Sequence, residues 1–216
     1  TTLTEDKEGT IWVGTDNGIG LFQCGNLNEQ CDAFLPIVES NGFNGYLFQK
    51  ETIHCIAVDG ANRKWIGTNN GAWLVSKDGT EVLEHFTTTN SPLPNDKVYS
   101  IVVDPSEGDV YFFTANELIS YKGTATEGAS TQNQILIYPN PVGPNHNGPI
   151  VIKNLVNNAL VKITDINGRL MASSRALGGQ TIWNGRDTNQ QKVASGIYLV
   201  FVRDETGKEK AVGKIL

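Results

Sequence analysis

The side chains that could do chemistry in this chain of 216 residues are few, and their spacing favours structural roles. The three histidines, His54, His85 and His146, show no metal-ligand spacing, and none pairs with a Cys-x-x-Cys motif. No Gly-x-Ser-x-Gly nucleophile motif occurs, and Ser195 lies in the sequence ASGIY, which is typical of a turn that enters a strand. We therefore predict a protein that is not an enzyme and that holds no metal and no cofactor.

Cysteine spacing leaves one candidate disulfide. Cys24 and Cys31 flank the sequence GNLNEQ, and a hairpin loop there would bring the two thiols face to face. A disulfide between them stays open on sequence grounds, and it would suit an exported protein. Cys55 lies in the apolar stretch IHCIAV, where a small buried side chain is the favoured interpretation over a nucleophile.

Aspartates recur where strand-like stretches end, at Asp6, Asp59 and Asp104. A carboxylate in this position can accept hydrogen bonds from backbone N–H groups of the following turn. We expect that structural role rather than a calcium site.

Basic side chains concentrate near the C-terminus, at Lys208, Lys210 and Lys214 among others. Two interpretations stay open. Lysines on the edge of a sheet discourage aggregation between sheets, and a positive face can also contact an anionic partner.

Composition excludes two classes of function. The formal net charge of −6 argues against nucleic-acid binding, which needs a basic face. No run of about 18 apolar residues occurs, so we predict no membrane span. The 23 glycines and the low charged fraction of 19% indicate a β protein that is rich in turns.

A repeated hairpin organises the first half of the chain. Residues 64–75, KWIGTNNGAWLV, contain two strand-like stretches joined at an Asn-Gly turn. The pattern also occurs 53 positions earlier as IWVGTDNGIGLF, and in weaker form 46 positions later, counted from Trp65 to Tyr111 in VYFFTANELISY. Four short antiparallel strands that repeat every 40–50 residues or so are the signature of a β-propeller blade.

These patterns divide the chain into three parts within an all-β fold. Residues 1–122 are predicted to be propeller blades, and residues 123–134 a linker without large apolar side chains. Propellers have about 4–8 blades, so we expect residues 1–122 to be the C-terminal part of a larger propeller. Residues 135–216 contain seven short strand candidates, which predicts a small Ig-like β-sandwich.

Two resemblances to known families rest on these motifs. The repeats WVGTDNG and WIGTNNG are similar to the regulator-propeller repeat of large bacterial β-propellers. The second half resembles the C-terminal sorting domain of the type IX secretion system, whose motifs it matches in order. They are YPNP at Tyr138, Pro139, Asn140 and Pro141, then TDINGR with Gly168, then WNGRD, then VASGIY with Gly196, Ile197 and Tyr198.

The second resemblance implies a signal for protein export rather than a catalytic activity. In that family the domain directs a folded protein across the outer membrane of Gram-negative bacteria. On most cargo a cell-surface sortase removes it and attaches an anionic lipopolysaccharide. The order of propeller repeats followed by this domain also resembles a cell-surface component of the type IX apparatus. That resemblance implies a non-enzymatic accessory of type IX secretion at the cell surface, with the sortase and outer-membrane components as partners. If the lysines at 208, 210 and 214 contact a partner, we expect it to be the anionic lipopolysaccharide or an acidic patch on the secretion machinery.

Two other functions stay open. The chain could belong to a surface-anchored hydrolase or lyase whose catalytic part lies upstream. It could also be the periplasmic sensor of a hybrid two-component regulator, because such sensors share the propeller repeats.

Overall fold

The computed structural model describes residues 1–23, 31–40, 43–115, 117–132, 134–204, 207 and 209–216, except the side chains of residues 39, 40, 43 and 209–212. Within this part of the chain all helical or extended structure is β-strand, which confirms the predicted all-β fold class. The chain divides into two compact units, Thr1–Gly123 and Thr124–Leu216. No helix in the described residues has the length and hydropathy of a transmembrane segment.

The N-terminal unit consists of three antiparallel sheets, which follow the sequence repeat, and one inserted hairpin. The first sheet has the order β1 (Thr2–Glu5), β2 (Ile11–Thr15) and β3 (Gly18–Phe22). The hairpin pairs β4 (Ile37–Ser40) with β5 (Phe43–Tyr46). The second sheet has the order β6 (Ile53–Val58), β7 (Lys64–Thr68), β8 (Gly71–Val75) and β9 (Val82–Phe86). The third has the order β10 (Val98–Val103), β11 (Asp109–Thr114) and β12 (Leu118–Lys122).

Two hydrophobic clusters place the second sheet between its neighbours. Trp12 and Ile66 belong to one cluster, which the first two sheets share, and Trp65 and Phe112 belong to the other, which the second and third sheets share. Strand β7 is therefore buried on both faces, and all five of its residues are buried. A polar side chain on this strand must find its partners inside the protein.

The C-terminal unit has two antiparallel sheets around one core. Its strands are β13 (Leu136–Tyr138), β14 (Ile150–Lys153), β15 (Leu160–Asp165), β16 (Leu170–Arg175), β17 (Thr181–Trp183), β18 (Tyr198–Arg203) and β19 (Glu209–Ile215). Their order is β13-β14-β17 in one sheet and β16-β15-β18-β19 in the other. Seven strands in the described part of this unit equal the number of strand candidates in the sequence, because alternating apolar residues face a common core that includes Ile152, Val161 and Val200.

Residues 124–132 belong to the C-terminal unit, although their composition predicts a linker. The Ala129 amide donates to the Leu155 carbonyl at 2.8 Å, and the Gly179 amide donates to the Thr126 carbonyl at 2.8 Å. Ala125 and Thr126 are buried. The segment docks through its backbone rather than through large side chains, so composition alone gives no sign of the contact.

Candidate functional site

The sequence motifs of the second half meet at one end of the C-terminal unit. Asp165 at the end of β15 lies opposite Tyr198 at the start of β18, which lies opposite Ile215 near the end of β19. Trp183 at the end of β17 lies opposite Ile150 at the start of β14. We call the surface formed by the loops 139–149, 166–169 and 184–197 and by Leu216 the motif end.

The loop that follows Tyr138-Pro139 fastens the end of β19 to the rest of the unit. The Asn140 side-chain amide donates to the Lys214 carbonyl at 2.9 Å and accepts from the Leu216 amide at 3.0 Å. The Val142 amide donates to the Leu216 carbonyl at 2.7 Å. Asn140 therefore acts as a clasp between the first motif and the last strand.

The long loop between β17 and β18 is held by its own hydrogen bonds. The Trp183 indole N–H donates to the Arg186 carbonyl at 2.8 Å, and the Val193 amide donates to the Gly185 carbonyl at 3.0 Å. The Asp187 carboxylate accepts from two backbone amides of the same loop, both at 2.9 Å. The backbone of this loop is thus held in place by hydrogen bonds within the loop.

Tyr198 ends this loop in the manner of the tyrosine corner of Ig-like sandwiches. Its hydroxyl donates to the Ala194 carbonyl, four residues upstream. Burial, and in second place the carboxylate of Asp165, raises the pKa of Tyr198 above its usual value. The phenol therefore keeps its proton, and with it the hydrogen bond, at physiological pH.

A cavity of about 280 Å³ opens at the motif end. Trp183, Tyr198 and Ile150 line its apolar part. The other walls come from the loop before β14, from the loop between β17 and β18, and from Leu216. Residues of the first, third and fourth motif segments, or their immediate neighbours, therefore share one concave surface.

The remaining motif residues are placed at turns or on the surface. Gly168 adopts a φ of 83° in the turn between β15 and β16, which explains the glycine there. Ile197 is exposed, and a side chain at Gly196 would meet open space. The Tyr138 ring is partly exposed, with the Lys153 ammonium 5.8 Å from its centre.

The predicted lysine face is described only in part. Lys214 is exposed, whereas Lys208 and the side chain of Lys210 lie outside the described residues. The face stays a prediction.

The cysteines are also described in part. Cys31 is disulfide-bonded and Cys55 is a free thiol, whereas Cys24 lies outside the described residues. Burial raises the pKa of Cys55 to about 11, in keeping with the inert side chain that its apolar surroundings predict.

The recurring aspartates do accept turn amides. Asp6 accepts from the Glu8 and Thr10 amides at 2.9 and 3.0 Å, and Asp59 accepts from the Ala61 and Arg63 amides at 2.9 and 3.0 Å. Asp104 holds its own turn in the third repeat in the same way. Among the described residues, no group of three or more His, Cys, Asp or Glu side chains could hold a metal ion.

A buried ion pair in the N-terminal unit was not predicted from the sequence. The fully buried Lys64 donates to the Asp6 carboxylate at 2.7 Å, to the Asn62 carbonyl at 2.9 Å and to the Lys77 carbonyl. Its ammonium lies 4.5 Å from the centre of the Trp12 ring. The sequence contains one sign of this ion pair, because Lys64 occupies the position at which the first repeat has an isoleucine.

Hydrogen bonds keep this carboxylate ionised. Burial by itself would raise the pKa of Asp6, but donors from Lys64, Thr10 and Glu8 outweigh burial and lower the pKa below the usual 3.8. At Lys64 burial is the larger effect and lowers the pKa, although Asp6 opposes it. The Trp12 indole N–H also donates to the Asp6 carboxylate, at 3.1 Å, which further favours the ionised form of Asp6. The pair is thus a structural link between the first two sheets.

Removing the clasp should loosen the motif end. We expect Asn140→Ala to lower the free energy of unfolding of the C-terminal unit by about 1–2 kcal/mol, because two hydrogen bonds are lost. The exposed Asn145 in the same loop provides the control, and Asn145→Ala should cost less than about 0.5 kcal/mol. Urea unfolding of both variants measures the difference, and equal losses would contradict the clasp.

The motif end lies in a part of the chain that matches a known protein family. Residues 136–216 match the family described as "Secretion system C-terminal sorting domain", and residues 1–17 match "Two component regulator propeller". A solved structure of PorZ covers 100% of this chain at 29% sequence identity, with a TM-score of 0.64. PorZ is described as an essential bacterial surface component of the type-IX secretion system of human oral-microbiomic Porphyromonas gingivalis. The chain is PorZ-like, and its C-terminal unit is a sorting domain.

The PorZ-like chain spans 30% of the length of the PorZ chain. Two further structures are extracellular domains of putative hybrid two-component systems from B. thetaiotaomicron. That of BT3049 is 13% identical with a TM-score of 0.41, over 99% of this chain and 31% of its own. That of BT4673 is 15% identical with a TM-score of 0.38, over 99% and 30%. A search of curated proteins found no match.

The sorting-domain match covers the whole motif end, from the loop after Tyr138 to Leu216. The predicted resemblance to that family is therefore confirmed, as are the blades that precede the tail. The clasp at Asn140 and the cavity beside Trp183 are features of this sorting domain that emerge only from its folded structure.

Proposed function

We propose that this PorZ-like chain belongs to a non-enzymatic accessory of type IX secretion at the outer surface of a Gram-negative cell. Its sorting domain acts as the export signal, and its blades offer a rigid face to partners. The partners are the sortase and outer-membrane components, with an anionic lipopolysaccharide as a further contact.

The observation that carries this proposal is the meeting of four distant motif segments at one end of one folded unit. Turn residues needed only for folding could lie at either end of the sandwich. Instead, the loops that follow β13 and β17 line one cavity beside the end of β19, and the loop that follows β15 begins at the same end of the sheet. Loops held on a rigid sheet scaffold are the usual place for recognition.

An export experiment tests the signal. The full chain and a chain that ends at Gly123 are each expressed behind a periplasmic export signal in a bacterium with a type IX system. We expect the full chain to become accessible to antibody on intact cells and the shortened chain to stay in the periplasm. Equal surface exposure of the two chains would contradict the proposal.

A second candidate function is cargo, because the matched family is defined by a sorting domain and the match alone does not separate machinery from cargo. Mass spectrometry of the surface form distinguishes them. An accessory is expected to keep peptides from residues 135–216, whereas cargo would lose them to the sortase.

A further inference from the structure

The first residues of the C-terminal unit are fastened to it through their backbone. We call residues 124–132 the strap. The Thr126 carbonyl accepts from the Gly179 amide, and the Ala129 amide donates to the Leu155 carbonyl, both at 2.8 Å. Each of these contacts lies beside a parallel β-bridge. The strap therefore pairs with the sorting domain as a strand does.

The Gln132 side chain secures the far end of the strap. Its amide group donates to the Asn154 carbonyl at 3.3 Å and accepts from the Val156 amide at 3.1 Å. The strap is thus anchored at 126, 129 and 132, and only two residues separate one anchor from the next. A segment held at such short intervals does not form the free loop that proteases prefer.

Two glycines allow the strap to lie close to the domain. A Cβ at Gly179 would collide with the Glu127 carbonyl oxygen, and a Cβ at Gly128 would lie 2.8 Å from the Asn157 amide nitrogen. Neither glycine has a positive φ, so backbone conformation does not require a glycine at either position. The close approach of two backbones is the reason that a glycine fits there.

The Glu127–Gly128 peptide bond lies at this close contact. The Glu127 side chain is exposed, whereas the carbonyl of the bond is packed against Gly179 and the next residue is packed against Asn157. A protease must draw several residues on both sides of a bond into its own cleft. It cannot do so while the strap is paired with the domain, so cleavage here requires local opening.

The strap lies at the end of the sorting domain opposite to the motif end. Its partners at 154–156 follow β14 and those at 178–179 precede β17, whereas the start of β14 and the end of β17 lie at the motif end. A receptor that contacts the motif end would therefore leave the strap uncovered. Recognition of the domain and its removal would use separate surfaces.

We propose that the strap is a gate that controls proteolytic removal of the sorting domain. While the strap is docked, the bonds at 126–132 are closed to proteases. When it undocks, a protease adds one water across the Glu127–Gly128 bond or a neighbouring bond, which leaves a carboxylate on one fragment and an amine on the other. Undocking is a local event, because it breaks the contacts of the strap and leaves the core at Ile152 and Val161 in place.

The inference rests on the proposed function only for the identity of the protease, which would be the sortase at the cell surface. Protection is measured on the purified full chain and export on cells, so the two can fail separately. Rapid cleavage of a chain that is exported would overturn this inference alone. A protected chain that is not exported would overturn the proposed function alone.

The experiment is limited proteolysis of the full chain with an endopeptidase that cuts after glutamate. Mass spectrometry follows the new ends at Glu127 and Gly128. A synthetic peptide of residues 120–134 gives the rate for the same sequence without the domain. We expect initial cleavage after Glu127 to be at least about 100-fold slower in the folded chain than in the peptide. Equal rates would overturn the proposal.

Gly179→Ala opens the gate without adding a charge. Its Cβ displaces the strap, so cleavage after Glu127 should become at least about tenfold faster than in the unchanged chain. Gly143→Ala is the matched control at the opposite end of the same unit, because a Cβ there meets no atom within 4 Å. Cleavage after the exposed Glu81, in a turn of the N-terminal unit, is the internal reference that neither variant should alter. Equal rates after Glu127 in the two variants would contradict the gate.

Gln132→Ala tests the far end of the strap and keeps the test open if Gly179→Ala does not fold. It removes two hydrogen bonds and should speed cleavage after Glu127 by about threefold to tenfold. Gln134→Ala is its control, because Gln134 is exposed and lies beyond the strap, and its rate should be unchanged. Urea unfolding shows that the C-terminal unit stays folded in both variants. Equal rates in these two folded variants would count against the strap as the barrier.

Discussion

Lys64→Met is expected to lower the free energy of unfolding of the N-terminal unit by about 3–5 kcal/mol. The methionine retains most of the volume of the side chain, but Asp6 would lose its charged partner in a place that water does not reach. A buried carboxylate without its partner is costly, so it would either stay charged at high cost or take up a proton. Scanning calorimetry of the full chain measures the transition of this unit.

An exposed ion pair nearby provides the control. Lys77 lies 3.4 Å from Glu8, and both side chains are 62% exposed. Lys77→Met should therefore cost less than about 1 kcal/mol. The double variant Asp6→Asn/Lys64→Met should recover part of the loss, because no charge is then left unpaired. A double variant as unstable as the sum of the single ones would contradict a direct coupling.

The pH dependence of stability offers a further check on the same pair. The pKa of Asp6 lies below its usual 3.8, so near pH 4 the unfolded chain binds more protons than the folded chain. Stability from this group is present above about pH 4 and is lost as the pH falls through the lower, folded-state pKa. Asp6→Asn should flatten this part of the profile.

Asp59→Ala is expected to lower the free energy of unfolding by about 3 kcal/mol. Asp59 is 2% exposed, and its carboxylate accepts the Arg63 side chain at 2.7 Å as well as the amides of Ala61 and Arg63. The variant would leave the buried Arg63 without this carboxylate. The measurement is again the calorimetric transition of the N-terminal unit.

The third repeat supplies a matched control for Asp59. Asp104 holds the amides of its own turn, and hydrogen bonds from Ser106 first, then from Glu107, lower its pKa. It is more exposed than Asp59 and pairs with no buried arginine. Asp104→Ala should therefore cause a clearly smaller loss. Equal losses at the two positions would show that the turn, rather than the buried pair, determines the stability.

Local pattern was sufficient to predict the strands, because each repeat combines alternating apolar residues with a turn that has few alternatives. Residues 64–75, for example, form the β7–β8 hairpin that their sequence predicts. The β4–β5 hairpin was not predicted, although the Asn-Gly dipeptide at 41–42 of the sequence is a hairpin signal. A single dipeptide without a repeat is weak evidence.

The arrangement of the candidate site could not be predicted from local sequence patterns. The motif residues could be found from the sequence, but their common position depends on strand order, which places β15, β18 and β19 side by side. The cavity beside Trp183 is lined by residues of several loops, and no pattern in the sequence predicts that these loops share one surface. Likewise, the partner of Lys64 is 58 residues away, and only the packing of two sheets brings Asp6 to it.

The Asn140 clasp and the tyrosine corner at Tyr198 have a consequence for the recognition of folded and misfolded proteins. Tyr138 and Tyr198 are remote in the chain, and an unfolded tail offers short turns that occur in many proteins. Only a correctly folded tail brings the loop that follows Tyr138 and the loop that ends at Tyr198 to the same cavity, beside the fastened end of the last strand. A receptor that contacts these segments together would therefore select correctly folded proteins for export. A misfolded tail would lack the surface that such a receptor recognises.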